Sequence, residues 1–195
     1  MNSDVNPRVN PDAGDLTVTI HDRHTDLEAT DPSLLGRRTY AIPIGPLSLV
    51  DDVFERRDPP TTAALTNALG IVHDHLDDVV IEAPAVAATA SIVFAGHHAR
   101  SLAQVEIGSI DLPAACRLDR AGIDEVFRTI VAESPAERRH NPGLDDAHLD
   151  TIVATCCIVL AIMRRLALHD AQFHDAEFHD AVLSDTAPDA DEKVI

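Results

Sequence analysis

Eleven histidines in 195 residues are the side chains of this sequence best able to do chemistry, because a neutral imidazole ligates metal ions and its charge changes near neutral pH. They include four groups: His21/His24, His73/His75, His97/His98, and the series His169, His174, His179. The last series sits in a His-Asp-Ala repeat of five residues. On an α-helix a step of five rotates successive side chains by about 140°, so three of them cannot share a face. Neither H-E-x-x-H nor H-x-x-x-H occurs, and a metal centre needs converging ligands with outer-shell support. We therefore expect exposed, titrating histidines rather than a shared metal site, with a His-rich metal-binding module as the competing reading.

Other chemistries leave weaker traces. No phosphate-binding glycine loop, G-x-S-x-G elbow or dinucleotide fingerprint is present, and the eight glycines are scattered. Cys156 and Cys157 lie inside an apolar run, where a thiol is inert and serves the core. Three cysteines without a C-x-x-C pair exclude a disulfide framework and point to reduced thiols in a cytoplasmic protein.

Charge narrows the partners. Fifteen basic against thirty-three acidic side chains give a formal charge of −18, and Lys193 is the one lysine. Such a field repels nucleic acid and anionic membrane, so a phosphate ligand would need clustered arginines, a metal ion or aimed backbone N–H groups. Aromatic content of 3%, with no Trp, argues against a base-stacking platform or a carbohydrate cleft. The apolar run Ile152 to Met163 is far shorter than the roughly 20 residues that span a bilayer.

The elements that must position any site are readable from period. Leu16, Val18 and Ile20, and again Tyr40, Ile42 and Ile44, alternate with less apolar residues as half-buried strands do, with a weaker strand over 27–30. Asp58-Pro59-Pro60-Thr61 announces a helix bearing Leu65, Ala68, Leu69, Val72 and Leu76. The β-branched Val79-Val80-Ile81 before Pro84 reads as a buried parallel strand. Asp119 caps a helix carrying Ile123, Val126, Phe127 and Ile130 up to Ser134-Pro135. Asp145 or Asp146 opens a long apolar helix through Met163, whose closing Arg164-Arg165 complements the helix dipole. A short strand at 171–173 and a final helical turn follow. Residues 1–11 and 186–195 read as polar tails around a single lobe over 12–185. The order βββαβααβα makes this an α/β protein, a mixed sheet with helices packed on it.

Seven short stretches, taken in order, resemble the second domain of the exopolyphosphatase and guanosine pentaphosphate phosphohydrolase (Ppx/GppA) family. They are Ile44-Gly45, Asp58-Pro59-Pro60-Thr61, Ala87-Ala88-Thr89-Ala90-Ser91, Cys116-Arg117-Leu118-Asp119-Arg120, Glu137-Arg138 with Pro142-Gly143-Leu144, His148-Leu149-Asp150 through Arg165-Leu166, and His174-Asp175 through Leu183. The resemblance implies one lobe of the actin-like ATPase (ribonuclease H-like) fold and a family chemistry of phosphoanhydride hydrolysis with a divalent metal such as Mg2+. The family's D-x-G-G-G-S-x-E loop is reduced here to Asp12-Ala13-Gly14-Asp15-Leu16-Thr17, and its G-G-T-A-T-T turn to Ala87-Ala88-Thr89-Ala90-Ser91-Ile92. Glycine lets backbone N–H groups approach phosphate oxygens; the first run keeps Gly14 alone and the second has lost both of its glycines. His148 stands where the resemblance leads one to expect arginine.

By resemblance, then, vestigial phosphate contacts would come from Gly14, Thr17, Thr89, Ser91, Arg138 and His148, and a divalent ion would sit on Asp150, Asp175 and Asp180. No catalytic residue is identified. The family's first lobe would have to precede Asp12, where eleven residues stand, so the chain is expected not to hydrolyse phosphoanhydrides by itself but to act as a binding or regulatory protein. A homodimer or a separate protein lobe is the expected partner, and polyphosphate or a guanine nucleotide the expected ligand. The alternative is residual exopolyphosphatase or guanosine-phosphate hydrolase activity completed by another subunit.

Overall fold

A computed structural model describes residues 15–31, 36–113 and 116–174. Its strands form one six-stranded sheet in the order β3-β2-β1-β4-β6-β5. β1 (Asp15–Ile20), β2 (Thr25–Asp31) and β3 (Gly36–Ile42) make an antiparallel meander. In β1 the inward Leu16, Val18 and Ile20 are all buried, as the alternation requires. A helical turn, α1 (Pro46–Ser48), runs into a π-helical turn over Leu49–Val53. Then comes α2 (Thr62–Glu82), capped by Thr61, whose Oγ1 accepts from Ala64 N.

After the short α3 (Pro84–Ala87), β4 (Ser91–Ala95) enters parallel to β1, and α4 (His97–Ile107) follows it directly. β5 (Cys116–Asp119) leads into α5 (Arg120–Ala132), where Asp119 Oδ1 accepts from Gly122 N at 2.7 Å. The four-residue α6 (Pro135–Arg138) and a 3-10 turn over Asp146–His148 precede α7 (Ile152–Arg165), and β6 (Asp170–His174) closes the described chain. β6 pairs parallel to β4 and antiparallel to β5.

The core is built around α7. Every residue from Ile152 to Met163 is buried, because α2, α4 and α5 all pack on this helix; apolar on all sides, it has no face suited to water. Its last turn is tied on both flanks, Arg164 to Asp124 of α5 and Arg165 to Asp77 of α2. Phe94 and Phe173 stack at 5.5 Å across β4 and β6, the strands on which α4 packs.

Three sequence expectations need correction. Val79-Val80-Ile81 is the last turn of α2, not a strand: Val79 is buried and Ile81 is 79% exposed, a one-sided pattern, and Pro84 stops the helix rather than a strand. The central parallel strand is instead β4, and α4 was not foreseen. The helix expected from Asp145 or Asp146 begins with the 3-10 turn, capped by Asp145, and becomes α-helical at Ile152. The final helical turn lies outside the described residues, as do both tails. No helix among the described residues is long and apolar enough to cross a membrane.

Candidate functional site

β1, β4 and β6 run parallel, so their carboxyl ends point to the same edge of the sheet. In open α/β sheets, ligands bind in the crevice outside such ends. Here that edge holds the His21–His24 turn after β1, Gly96-His97-His98 after β4, and His174 at the end of β6.

The turn after β1 is pinned by its neighbours. His21 N donates to His24 O within it, Leu47 N donates to Asp22 O, and Ser48 Oγ donates to Arg23 O. Thr25 Oγ1 donates to Ile44 O just below. This fit explains Gly45: a Cβ there would lie 2.4 Å from His21 O and 2.5 Å from Arg23 N. Arg23 swings away to pair with Asp51 at 2.7 Å, which leaves Asp22 facing the β4 turn.

Gly96 makes that second turn at φ +93°, a conformation side chains disfavour, and a Cβ there would lie 3.1 Å from Ile20 O. The two following residues are the first of α4, so their side chains project at the strand ends. His148 arrives from the other side on the 3-10 turn. Its turn is held by Arg138, which donates to Leu149 O, and by the burial of Leu149.

The result is a cluster assembled from three separate segments. His97 Nδ1 lies 3.0 Å from His148 Nε2, and His98 Nε2 donates to Asp22 Oδ1 at 2.9 Å. Asp22 Oδ1 is also 3.9 Å from His97 Nε2. One ring nitrogen from each of His97, His98 and His148 falls within 4.8 Å of the others. An ionised carboxylate only accepts, so the His98–Asp22 bond places the His98 proton on Nε2 and leaves Nδ1 a bare lone pair. Nδ1 of His98 and Nδ1 of His148 are buried without a hydrogen-bond partner.

Electrostatics favour the neutral form of His98 and His148. Burial pushes His98 down to about 4, helped by the neighbouring His97 and His148 and opposed by its bond to Asp22. Burial likewise lowers His148, with His97 adding to it. The bond from His98 holds the Asp22 carboxyl below the ordinary carboxylate range. Neutral imidazoles beside an ionised carboxylate are donors for a borderline divalent metal such as zinc, not for the hard Mg2+. The cluster borders an open groove of about 330 Å³ lined also by Arg100, Gln104, Ile110 and Asp145.

The residues anticipated from sequence are distributed differently. Thr17 is mid-strand in β1 and buried. Thr89 and Ser91 sit at the amino end of β4, where Thr89 Oγ1 donates to Ser91 O; five residues of strand, about 16 Å, separate that end from His97. Arg138 is fully buried, its guanidinium committed to Asp58, Leu149 O and Glu133 O. Asp150 is exposed beside a cavity of about 140 Å³ lined by Asp58, Arg56 and Arg57. Gly14, Asp175 and Asp180 lie outside the described residues. Of the set, the structure brings His148 alone into the cluster.

The expectation of exposed histidines is corrected at His98, which is 2% exposed, and at the convergence of His97, His98 and His148. His21 and His24 do meet it: they stack at 4.3 Å near Asp26 on the outer side of the hairpin, half in water. His73 Nε2 pairs with Ala161 O of α7. The signal that could have found the site is Ser91-Ile-Val-Phe-Ala95 followed by Gly96, a buried strand meeting a turn that delivers two histidines.

No protein-family model and no curated protein matches the chain. Solved structures do. A PPX-GPPA enzyme of Aquifex aeolicus superposes with a TM-score of 0.75 at 19% identity, over 90% of this chain and 57% of that one. A type II variant of the Aquifex aeolicus Ppx/GppA phosphatase gives 0.76 at 19%, over 92% and 59%. An exopolyphosphatase from Cytophaga hutchinsonii gives 0.64 at 15%, over 85% and 54%. The chain thus spans less than two thirds of the length of these neighbours. At such identities the likeness is one of architecture, and what the chain shares with the Ppx/GppA proteins is their actin-like ATPase-type fold.

Proposed function

We propose that this chain is a Ppx/GppA phosphatase-like lobe that binds rather than hydrolyses. The observation that carries the reading is what fills the carboxyl ends of β1 and β4. Phosphoryl transfer depends on positioned N–H donors and cations around the phosphate. In their place stand His21-Asp22-Arg23-His24 and His97-His98. Side chains there keep backbone N–H groups from phosphate oxygens, and Asp22 presents a carboxylate at the mouth of the site. Arg138, the buried cation nearest to a phosphate role by resemblance, is turned to the core.

The lobe works through a partner, a second copy or a separate protein lobe, that faces the strand-end edge. Ile110, 56% exposed on the groove beside His97 and His148, supports this reading, since an exposed isoleucine next to a polar cluster gains from being covered.

The test is phosphate release from polyphosphate and from guanosine pentaphosphate with Mg2+ or Mn2+, across a range of protein concentrations. We expect none above the protein-free rate. Release proportional to protein overturns the proposal, and release rising more steeply than protein concentration replaces it with a hydrolytic site completed between chains.

A further inference from the structure

We infer that His97, His98, His148 and Asp22 form a binding site for a transition-metal ion of the zinc class. The inference rests on the geometry of these four side chains, not on the loss of hydrolysis, and metal retention is read separately from phosphate release.

Three features argue for it. First, the three histidines come from two segments, the start of α4 and the 3-10 turn before α7, and the carboxylate that holds His98 comes from a third, the β1–β2 turn. Local sequence neighbours meet by necessity, but residues 22, 97 and 148 meet because the fold brings them together. Second, the spacing suits coordination. Zinc–nitrogen bonds of 2.0–2.1 Å in a tetrahedral site put ligand nitrogens about 3.3 Å apart. His97 Nδ1 and His148 Nε2 stand at 3.0 Å, and one ring nitrogen from each of the three histidines lies within 4.8 Å of the others. Third, the cluster is short of partners. His98 Nδ1, the ring nitrogen left over by the bond to Asp22, is buried without a hydrogen bond, and buried polar atoms in folded proteins are nearly always satisfied by protein, water or an ion.

Asp22 has the place that carboxylates take beside metal-bound histidine. Its bond to His98 fixes the ring's tautomer and orientation, and it supplies the negative charge that a divalent ion needs. The open groove beside His97 and His148 leaves a coordination position accessible from solvent.

The second histidine group provides the internal control. His21, His24 and Asp26 also bring donors together, but on the exposed face of one hairpin, where the two rings stack on each other.

The experiment uses the full chain, stripped with chelator and dialysed against Zn2+ in excess Mg2+, with metal content and calorimetric affinity measured for wild type and variants. One zinc per chain is expected. His97→Ala and His148→Ala should weaken binding by more than about 100-fold, and Asp22→Asn by about 10- to 100-fold. His24→Ala should leave it unchanged. Because an alanine variant could lose binding by losing its fold, Co2+ is added to His148→Cys, which should gain a thiolate-to-cobalt charge-transfer band absent from wild type, whose three cysteines are buried. Absence of stoichiometric zinc in the wild type, zinc retained by the His97 and His148 variants, loss through His24→Ala, or no new band in His148→Cys each overturns the inference.

Discussion

Arg138 and His98 are both polar, both almost completely buried and both bonded to an aspartate, yet they sit in opposite kinds of surroundings. Around Arg138 every interaction is internal: Asp58 from the segment before α2, Leu149 O from the turn bearing His148, and Glu133 O from the end of α5. Around His98 the acceptor is a 60%-exposed Asp22, two rings crowd in, and ring nitrogens are left over. A buried polar group with all its bonds made is a strut. One that stays short of partners beside an open groove is a site that waits for a ligand.

The largest expected effect falls on the strut. Arg138→Ala strands Asp58 and two carbonyls, and removing one member of a buried pair costs about 3 kcal/mol here, at the low end because Asp58 keeps some contact with water. Urea denaturation reads it, and a loss under about 1 kcal/mol would show that the guanidinium is not a strut. The next effect is steric. A Cβ on Gly143 would lie 2.0 Å from Gln104 O, so Gly143→Ala must push the Asn141–Leu144 turn off α4 at a cost of about 2–3 kcal/mol. Because α4 carries His97 and His98 while the turn leads to His148, zinc affinity should fall together with stability. Unchanged affinity would mean that the turn does not set the cluster's spacing.

Acid should separate the two regions. His98 is held at about 4 when folded and returns to about 6.5 when unfolded. The unfolded chain therefore takes up a proton that the folded chain refuses. This contribution is fully present above pH 6.5 and is lost as pH falls from there toward 4. With allowance for solvent screening it amounts to about 2 kcal/mol; the lowered His148 acts in the same sense. Denaturation of the metal-free chain at pH 7, 6, 5 and 4 should show the decline in wild type and a flatter profile in His98→Gln. Parallel profiles would show that His98 is not kept neutral.

The same contrast explains what the sequence could reveal. α7, α5 and the strands of the meander were legible because their apolar spacing is local, and so were the caps at Thr61 and Asp119, which depend on residues three positions away. Val79-Val80-Ile81 misled because a β-branched triplet carries no period of its own; only the packing of α2 on α7 decides it. The same error displaced the central strand, and with β4 misplaced, His97 and His98 could not be put at a strand end. His148 was singled out as a substituted arginine and His97/His98 as a pair, but their meeting depends on contacts 51 residues apart in sequence. Family-like motifs located the elements, while the site's register came from which strand ends share an edge.

The smallest expected effect is the most discriminating, because it asks whether histidine content alone makes a site. His24 has half its side chain in water and stands 3.8 Å from Asp26, so His24→Ala should change stability by no more than about 0.5 kcal/mol, as exposed ion pairs and surface substitutions generally do. Nothing in its surroundings is left unsatisfied by the change. His98→Ala, three positions past the end of β4, removes the same imidazole but deprives Asp22 of its partner and empties a buried space, at a cost of about 2 kcal/mol. If the two variants prove equally mild in denaturation, burial is not what distinguishes the two histidine groups. If His24→Ala proves the more costly, the outer stack of His21 and His24 is holding the β1–β2 turn, and Asp22 owes its position to that stack rather than to Gly45 and Ser48.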